Sequence, residues 1–124
     1  MDQIRELVIF KDYFFRFFNT QTKEAKEKID FVLFIITHVN QIPKKFLKHI
    51  TGQKGLYEIR VQHGTNIFRI FCCFDEGKIV VLFNGFQKKA QKTPSSEIER
   101  ALKIKREYFN EKQIKGHEKK NREN

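Results

Sequence analysis

Hydrophobic positions recur at helical spacing in the first third of the chain and at strand spacing in the middle. Val8–Phe10 predicts a short opening strand, and between Lys11 and Phe18 the four residues Phe14, Phe15, Phe17 and Phe18 suit one buried helical face. Asn19-Thr20-Gln21-Thr22 is a polar break able to cap a second helix. From Lys23 to about Val39 the apolar residues Ala25, Ile29, Val32, Leu33, Ile36 and Val39 keep helical spacing. Phe31, Phe34 and Ile35 broaden that stripe, which predicts burial on more than one side. Two helices across a short turn read as a helical hairpin. Pro43 closes the unit; Phe46, Leu47 and Ile50 predict one further helical turn, and Thr51 to Gly55 a loop.

After that loop the period becomes two. Tyr57, Ile59 and Val61 alternate with Glu58, Arg60 and Gln62; Ile67–Phe74 and Ile79–Phe86 follow, separated by His63-Gly64-Thr65-Asn66 and Asp75-Glu76-Gly77-Lys78. Such spacing predicts a three-stranded antiparallel meander. With His63 opposite Asn66, Arg60 faces Arg69 and Ile59 faces Ile70. With Asp75 opposite Lys78, Arg69 faces Asn84 and Ile70 faces Phe83. One face then carries Tyr57, Ile59, Val61, Phe68, Ile70, Cys72, Phe74, Ile79, Val81 and Phe83, and is predicted to pack on the helical hairpin. The other carries Glu58, Arg60, Arg69, Phe71, Leu82, Asn84 and Phe86. A final helix begins near Thr93-Pro94-Ser95-Ser96, with Ser96 and Glu99 spaced as a capping box. The predicted fold class is therefore α+β: an N-terminal helical hairpin packed on a small antiparallel sheet, followed by a C-terminal helix. Residues 1–112 read as a single domain and residues 113–124 as a charged, disordered tail.

Charge sharpens this picture. The chain has 124 residues and a formal net charge of +10. Residues 1–43 carry six basic and six acidic side chains, and residues 44–124 carry 19 and nine. The whole surplus lies in the second part, which points to a basic face and a polyanionic partner. With 40% apolar residues the chain is too hydrophobic for a disordered one. The densest apolar stretch, Phe31 to Ile36, is far short of the roughly 20 residues of a membrane span. The Met-Asp-Gln start lacks the layout of a signal peptide. Cys72 and Cys73 are adjacent, and in a strand they point to opposite faces, so no ordinary disulfide joins them. These features predict a cytoplasmic protein with two small buried cysteines and no membrane partner.

The chemistry centres on Arg60 and Arg69. Like charges opposite each other destabilise a sheet, so an anion is required between them. Glu58 supplies it internally in the structural reading. In the functional one, two planar guanidinium groups cradle a phosphate. Phe86 at the strand end, followed by Lys88, Lys89 and Lys92, matches a stacking residue with phosphate-binding lysines, although such runs are more often solvated loops. Lys45, Lys48 and Lys54 extend the basic surface. His38, His49, His63 and His117 are scattered without zinc-site spacing. No glycine-rich phosphate loop, G-x-S-x-G or H-E-x-x-H occurs. An enzyme of this sequence is predicted to work without metal or other cofactor.

Gly55-Leu56-Tyr57-Glu58-Ile59-Arg60-Val61, Phe68-Arg69-Ile70-Phe71 and Phe86-Gln87-Lys88-Lys89-Ala90-Gln91-Lys92-Thr93-Pro94 together resemble the RelE/ParE superfamily of toxin–antitoxin toxins, in particular its phage-derived, HigB-like branch. The resemblance runs from about Phe10 to Phe109. It implies a microbial RNase-like fold and a metal-independent, ribosome-dependent mRNA endonuclease in which the ribose 2′-OH attacks the adjacent phosphate. It also implies a cognate antitoxin, often a helix-turn-helix protein, that covers the basic site, and contacts with mRNA and ribosomal RNA. By the same resemblance Arg60 and Arg69 bind the scissile phosphate, and Lys88 and Lys89 stabilise the leaving group or grip ribosomal RNA. The resemblance has one gap. Many members carry a proton-transferring tyrosine near the start of the last helix, where this chain reads Thr93-Pro94-Ser95-Ser96. Glu58 is the remaining candidate for general base. The alternatives are a ParE-like inhibitor of DNA gyrase and a non-catalytic member that binds RNA or a partner.

Overall fold

The polar break at residues 19–22 separates two helices because Thr22 turns its hydroxyl onto the second: its Oγ1 accepts from the Ala25 N–H at 3.1 Å. A computed structural model describes the backbone of residues 1–123 and the side chains of residues 1–116. Along it run β1 (Glu6–Ile9), α1 (Tyr13–Phe18), α2 (Lys23–His38), β2 (Leu47–His49), β3 (Tyr57–His63), β4 (Asn66–Asp75), β5 (Ile79–Lys88) and α3 (Ser95–Glu123). The strands form one five-stranded sheet in the order β1-β5-β4-β3-β2. It is mixed rather than wholly antiparallel, because β1 adds to the β5 edge in parallel. Residues 47–49, predicted as a helical turn, are the other edge strand, paired antiparallel with β3. Two short edge strands flank a long central hairpin, which limits the exposed edge.

The two sheet faces carry separate cores. On one, α1 and α2 bury Phe14, Phe17, Ala25, Ile29, Val32 and Ile36 against Ile59, Val61, Phe68, Ile70, Cys72, Val80 and Leu82. On the other, Ala101 and Ile104 of α3 cover Phe71, Cys73, Val81 and Phe83, with Phe10, Ile50 and Leu56 closing the margin. Both cysteines are buried and free, one in each core. The stripe on α2 is narrower than predicted: Phe31 and Phe34 are exposed, and so is Phe15 on α1. The sheet meets only one side of each helix, so a second apolar side has nothing to pack on.

The β3–β4 register is as predicted, with Arg60 opposite Arg69 and Ile59 opposite Ile70. The β4–β5 register is not. Asp75 pairs with Ile79 rather than Lys78, Ile70 with Gly85 rather than Phe83, and Arg69 with Phe86 rather than Asn84. Two causes combine. The turn spends one more residue than a two-residue hairpin, with Glu76 and Gly77 both at positive φ (52° and 79°). A bulge then sets Phe83 and Asn84 against Phe71 alone. As a result Val80 and Leu82 face the helical pair, while Val81 and Phe83 face α3, the reverse of the prediction. Helix α3 starts one residue before the predicted capping box, with the N–H groups of Glu97 and Ile98 donating to the Pro94 carbonyl. Its backbone is helical to Glu123, through the stretch after Gln113 predicted as a disordered tail. Glu, Lys and Arg make up six of residues 114–123, and all are good helix formers.

Candidate nucleic-acid interface and active site

Alternation along β3 puts Glu58 and Arg60 on the α3 face of the sheet, and pairing brings Arg69 beside them. Helix α3 covers only part of this face. Beyond it the sheet opens into a cavity of about 490 Å³ bordered by Lys48, Glu58, Arg60, Lys88, Lys92 and Thr93 among others. Five strand and loop segments thus converge on a cleft with four lysine or arginine residues in its wall and a single carboxylate.

That carboxylate is buried, at 4% exposure. Its Oε1 lies 3.5 Å from Arg60 Nε and 3.7 Å from Arg69 Nε. Its Oε2 accepts from the Thr93 hydroxyl at 3.1 Å. Neither guanidinium Nε–H completes a hydrogen bond, and both are buried. Glu58 therefore offsets the like charges but leaves two buried charged donors short of a partner, a costly arrangement that an incoming anion relieves. Arg69 donates one Nη1 bond to the Phe68 carbonyl at 3.0 Å. Burial holds its proton affinity below the usual guanidinium range; Glu58 pulls it up and Arg60 pushes it further down. Lys88 is likewise held below the ordinary lysine value, first by desolvation and then by the charges of Arg69, Arg60 and Lys48, against the opposing pull of Glu58.

Arg60, Lys48, Lys88 and Lys92 share the cavity with Glu58, and Arg69 reaches the same carboxylate. Lys89 does not: it borders a separate cleft with Arg16 and Arg100, because neighbours on a strand end point to opposite sides. Phe86 lies against Phe71, ring centroids 5.8 Å apart at 22°, so one ring face is covered rather than free for a base. Lys45 sits over the Phe46 ring, and the Lys54 carbonyl accepts from Lys105 Nζ; neither residue borders the cavity. Thr93, read from the sequence only as the place of a missing tyrosine, is the residue that orients Glu58. His49 also borders the cavity, but its ring packs edge-on against Tyr57 on the helical side. Tyr108 is committed elsewhere: its hydroxyl donates to Asp75 at 2.7 Å, and burial with that carboxylate pushes its pKa up to about 12. Among the described residues no group of three or more His, Cys, Asp or Glu is placed to hold a metal, and no helix is long and apolar enough to cross a membrane.

No curated protein matches the chain. Residues 16–106, well over half of it, match the family described as Phage derived protein Gp49-like (DUF891). That span begins in α1 and ends inside α3, so it takes in the whole cavity and strands β2 to β5, with β1 lying before it. The chain belongs to this phage-derived Gp49-like family, a family of RelE-like toxins of the toxin–antitoxin type, whose members have a cognate antitoxin.

Proposed function

We propose that this protein is a cytoplasmic, metal-independent endoribonuclease that cleaves mRNA on the ribosome. The carrying observation is the pair of buried Nε–H groups of Arg60 and Arg69, which complete no hydrogen bond and converge on Glu58 Oε1 at the wall of an open basic cavity. A scissile phosphate at that point receives both donors, and they strengthen as charge builds on its non-bridging oxygens. The Glu58 carboxylate, displaced from between the arginines, takes the proton of the ribose 2′-OH. The new O2′–P bond forms as the P–O5′ bond breaks, leaving a 2′,3′-cyclic phosphate and a 5′-hydroxyl. Lys88, whose proton is loosened by desolvation and then by its cationic neighbours, gives that proton to the departing O5′. Lys48 and Lys92 hold flanking phosphates. The antitoxin, in this reading a helix-turn-helix protein, blocks the same basic cleft.

Arg69→Ala tests the proposal. Losing one preorganised donor is expected to lower cleavage by about 100-fold or more and to abolish growth arrest, with helix content and cooperative unfolding kept. Codon-phased mRNA 5′ ends in cells expressing the native chain, and their absence with the variant, are the readout. Full toxicity from a well-folded Arg69→Ala protein would falsify the proposal. One observation favours a second reading: Glu58 already sits where the phosphate would go, and no tyrosine borders the cavity. RNA binding that weakens steeply with salt, without cleavage on ribosomes, would mark a non-catalytic RNA-binding member instead.

A further inference from the structure

Strand β1 pairs with β5 only over Ile79–Leu82. From Phe83 to Lys88 the outer edge of β5 has, among the described residues, no strand beside it, and residues of α1 and α3 border the gap. The cleft left there has a volume of about 410 Å³, within the roughly 300–1,000 Å³ typical of small-ligand sites. Its walls bring Arg16 of α1, Arg100 of α3 and Lys89 together with the amides Gln21, Asn84 and Gln87. Arg16 is paired with the exposed Asp12 at 2.9 Å. Among the described residues neither Lys89 nor Arg100 forms a salt bridge. Three cations thus border a cleft whose wall, among the described residues, contains no carboxylate, with Asp12 bonded to Arg16 and Glu97 to Asn84 behind it.

Asn84 gives the cleft a second requirement. It is 1% exposed, and its Nδ2 donates to a Glu97 carboxylate oxygen at 3.2 Å. That contact fixes the orientation of the amide, since its carbonyl oxygen would be repelled there. Asn84 Oδ1 is then a buried acceptor with nothing to accept from, an expense that folded proteins rarely leave unmet. A fitting ligand brings negative charge and a hydrogen-bond donor at once. A ribose-phosphate unit does so, with its phosphate on Arg16, Lys89 and Arg100 and its hydroxyl towards Asn84. Lys88 and Lys89 stand side by side at the end of β5, one in each cleft, so a single strand of RNA rounding that end meets both.

We propose that the cleft at the open edge of β5 is a second RNA subsite, which grips the ribose-phosphate backbone outside the Arg60–Arg69 centre. It holds whether or not that centre cleaves, because its test reads binding of free RNA. Arg16→Gln/Arg100→Gln changes only exposed side chains, so the fold is retained. Fluorescence anisotropy with a single-stranded RNA 12-mer is expected to show about tenfold weaker binding at low salt. The slope of log affinity against log salt should fall by about 1.4, roughly 0.7 for each of two phosphates. Lys78→Gln/Lys115→Gln removes equal charge from the far end of the sheet and is expected to change the affinity less than threefold. Equal losses from the two double variants would show a diffuse field and overturn the proposal, as would unchanged affinity in the first. Asn84→Ala is expected to bring the affinities for RNA and for DNA of the same sequence together. A folded Asn84→Ala protein with the native RNA preference would remove the ribose contact.

Discussion

Two carboxylates are buried on the α3 side of the sheet, and their partners give them opposite uses. Asp75 is fully engaged: it accepts from the Tyr108 hydroxyl at 2.7 Å and from Lys112 Nζ at 2.8 and 3.0 Å, tying the end of β4 to α3. Burial alone would raise its pKa, but the bonds from Lys112 and Tyr108 outweigh burial and hold it below the ordinary aspartate value. Glu58 has one hydrogen bond and two loose ion contacts, as suits a group that must move. Asp75→Asn is expected to cost about 2 kcal/mol at neutral pH, the scale of a buried charged hydrogen-bond acceptor. The sign of the pH dependence follows from the lowered pKa. Asp75 stabilises fully above its unfolded value of about 3.9 and loses that contribution as pH falls through the lower folded value. Urea unfolding of native and variant protein should therefore differ at pH 7 and converge in strong acid. A constant difference down to the lowest pH would show that shape rather than charge is lost.

At the scale of elements, patterning located the helices and every strand but β2, and fixed register only where one face of a strand is polar. In β3 the alternation of Ile59 and Val61 with Glu58 and Arg60 leaves one solution, and the Arg60–Arg69 pair follows from it. In β5 the run Ile79-Val80-Val81-Leu82-Phe83 is buried under helices on both sides. A one-residue slip there moves one apolar residue into the place of another, so hydrophobicity cannot report it. The bulge at Phe83–Asn84 was invisible for the same reason, and with it the cleft beside Lys89. Thr93 was hidden differently: its bond to Glu58 joins residues 35 apart in sequence. Gly85 follows the bulge at the closest approach of β5 to α1. A Cβ there would lie 2.5 Å from Phe17 Cδ2 and 2.8 Å from Cγ, and Phe17 is itself buried edge-on against Phe68. Gly85→Ala is expected to destabilise the protein by about 2 kcal/mol, within the usual range for overpacking a core, and to lower the urea midpoint at unchanged m. An unchanged midpoint would mean that α1 can shift outward without penalty.

Across the whole molecule the positive surplus has become a gradient of function. The helical pair presents a charge-balanced surface with exposed Phe31 and Phe34. The end of β5 instead gathers Lys48, Arg60, Arg69, Lys88 and Lys92 around one carboxylate, Glu58. Such crowding focuses the field on a polyanion, and, added to desolvation, it loosens the proton of Lys88. Its pKa lies below the ordinary lysine value of 10.5. An ordinary lysine would stay charged through mildly alkaline solution, whereas Lys88 sheds its proton earlier as pH rises. RNA affinity is thus expected to fall across that interval while the fold persists. Oligoadenylate is the suitable probe, since adenine does not ionise there. Lys88→Arg supplies a cation that does not titrate in this range and should flatten the profile. An equal alkaline decline in the variant would assign the loss to another group. A phosphate bound between Lys88 and Arg69 should reverse the shift, because an added negative charge favours the protonated amine. Binding should then take up protons at alkaline pH, a quantity that calorimetry in two buffers of different ionisation enthalpy reads directly.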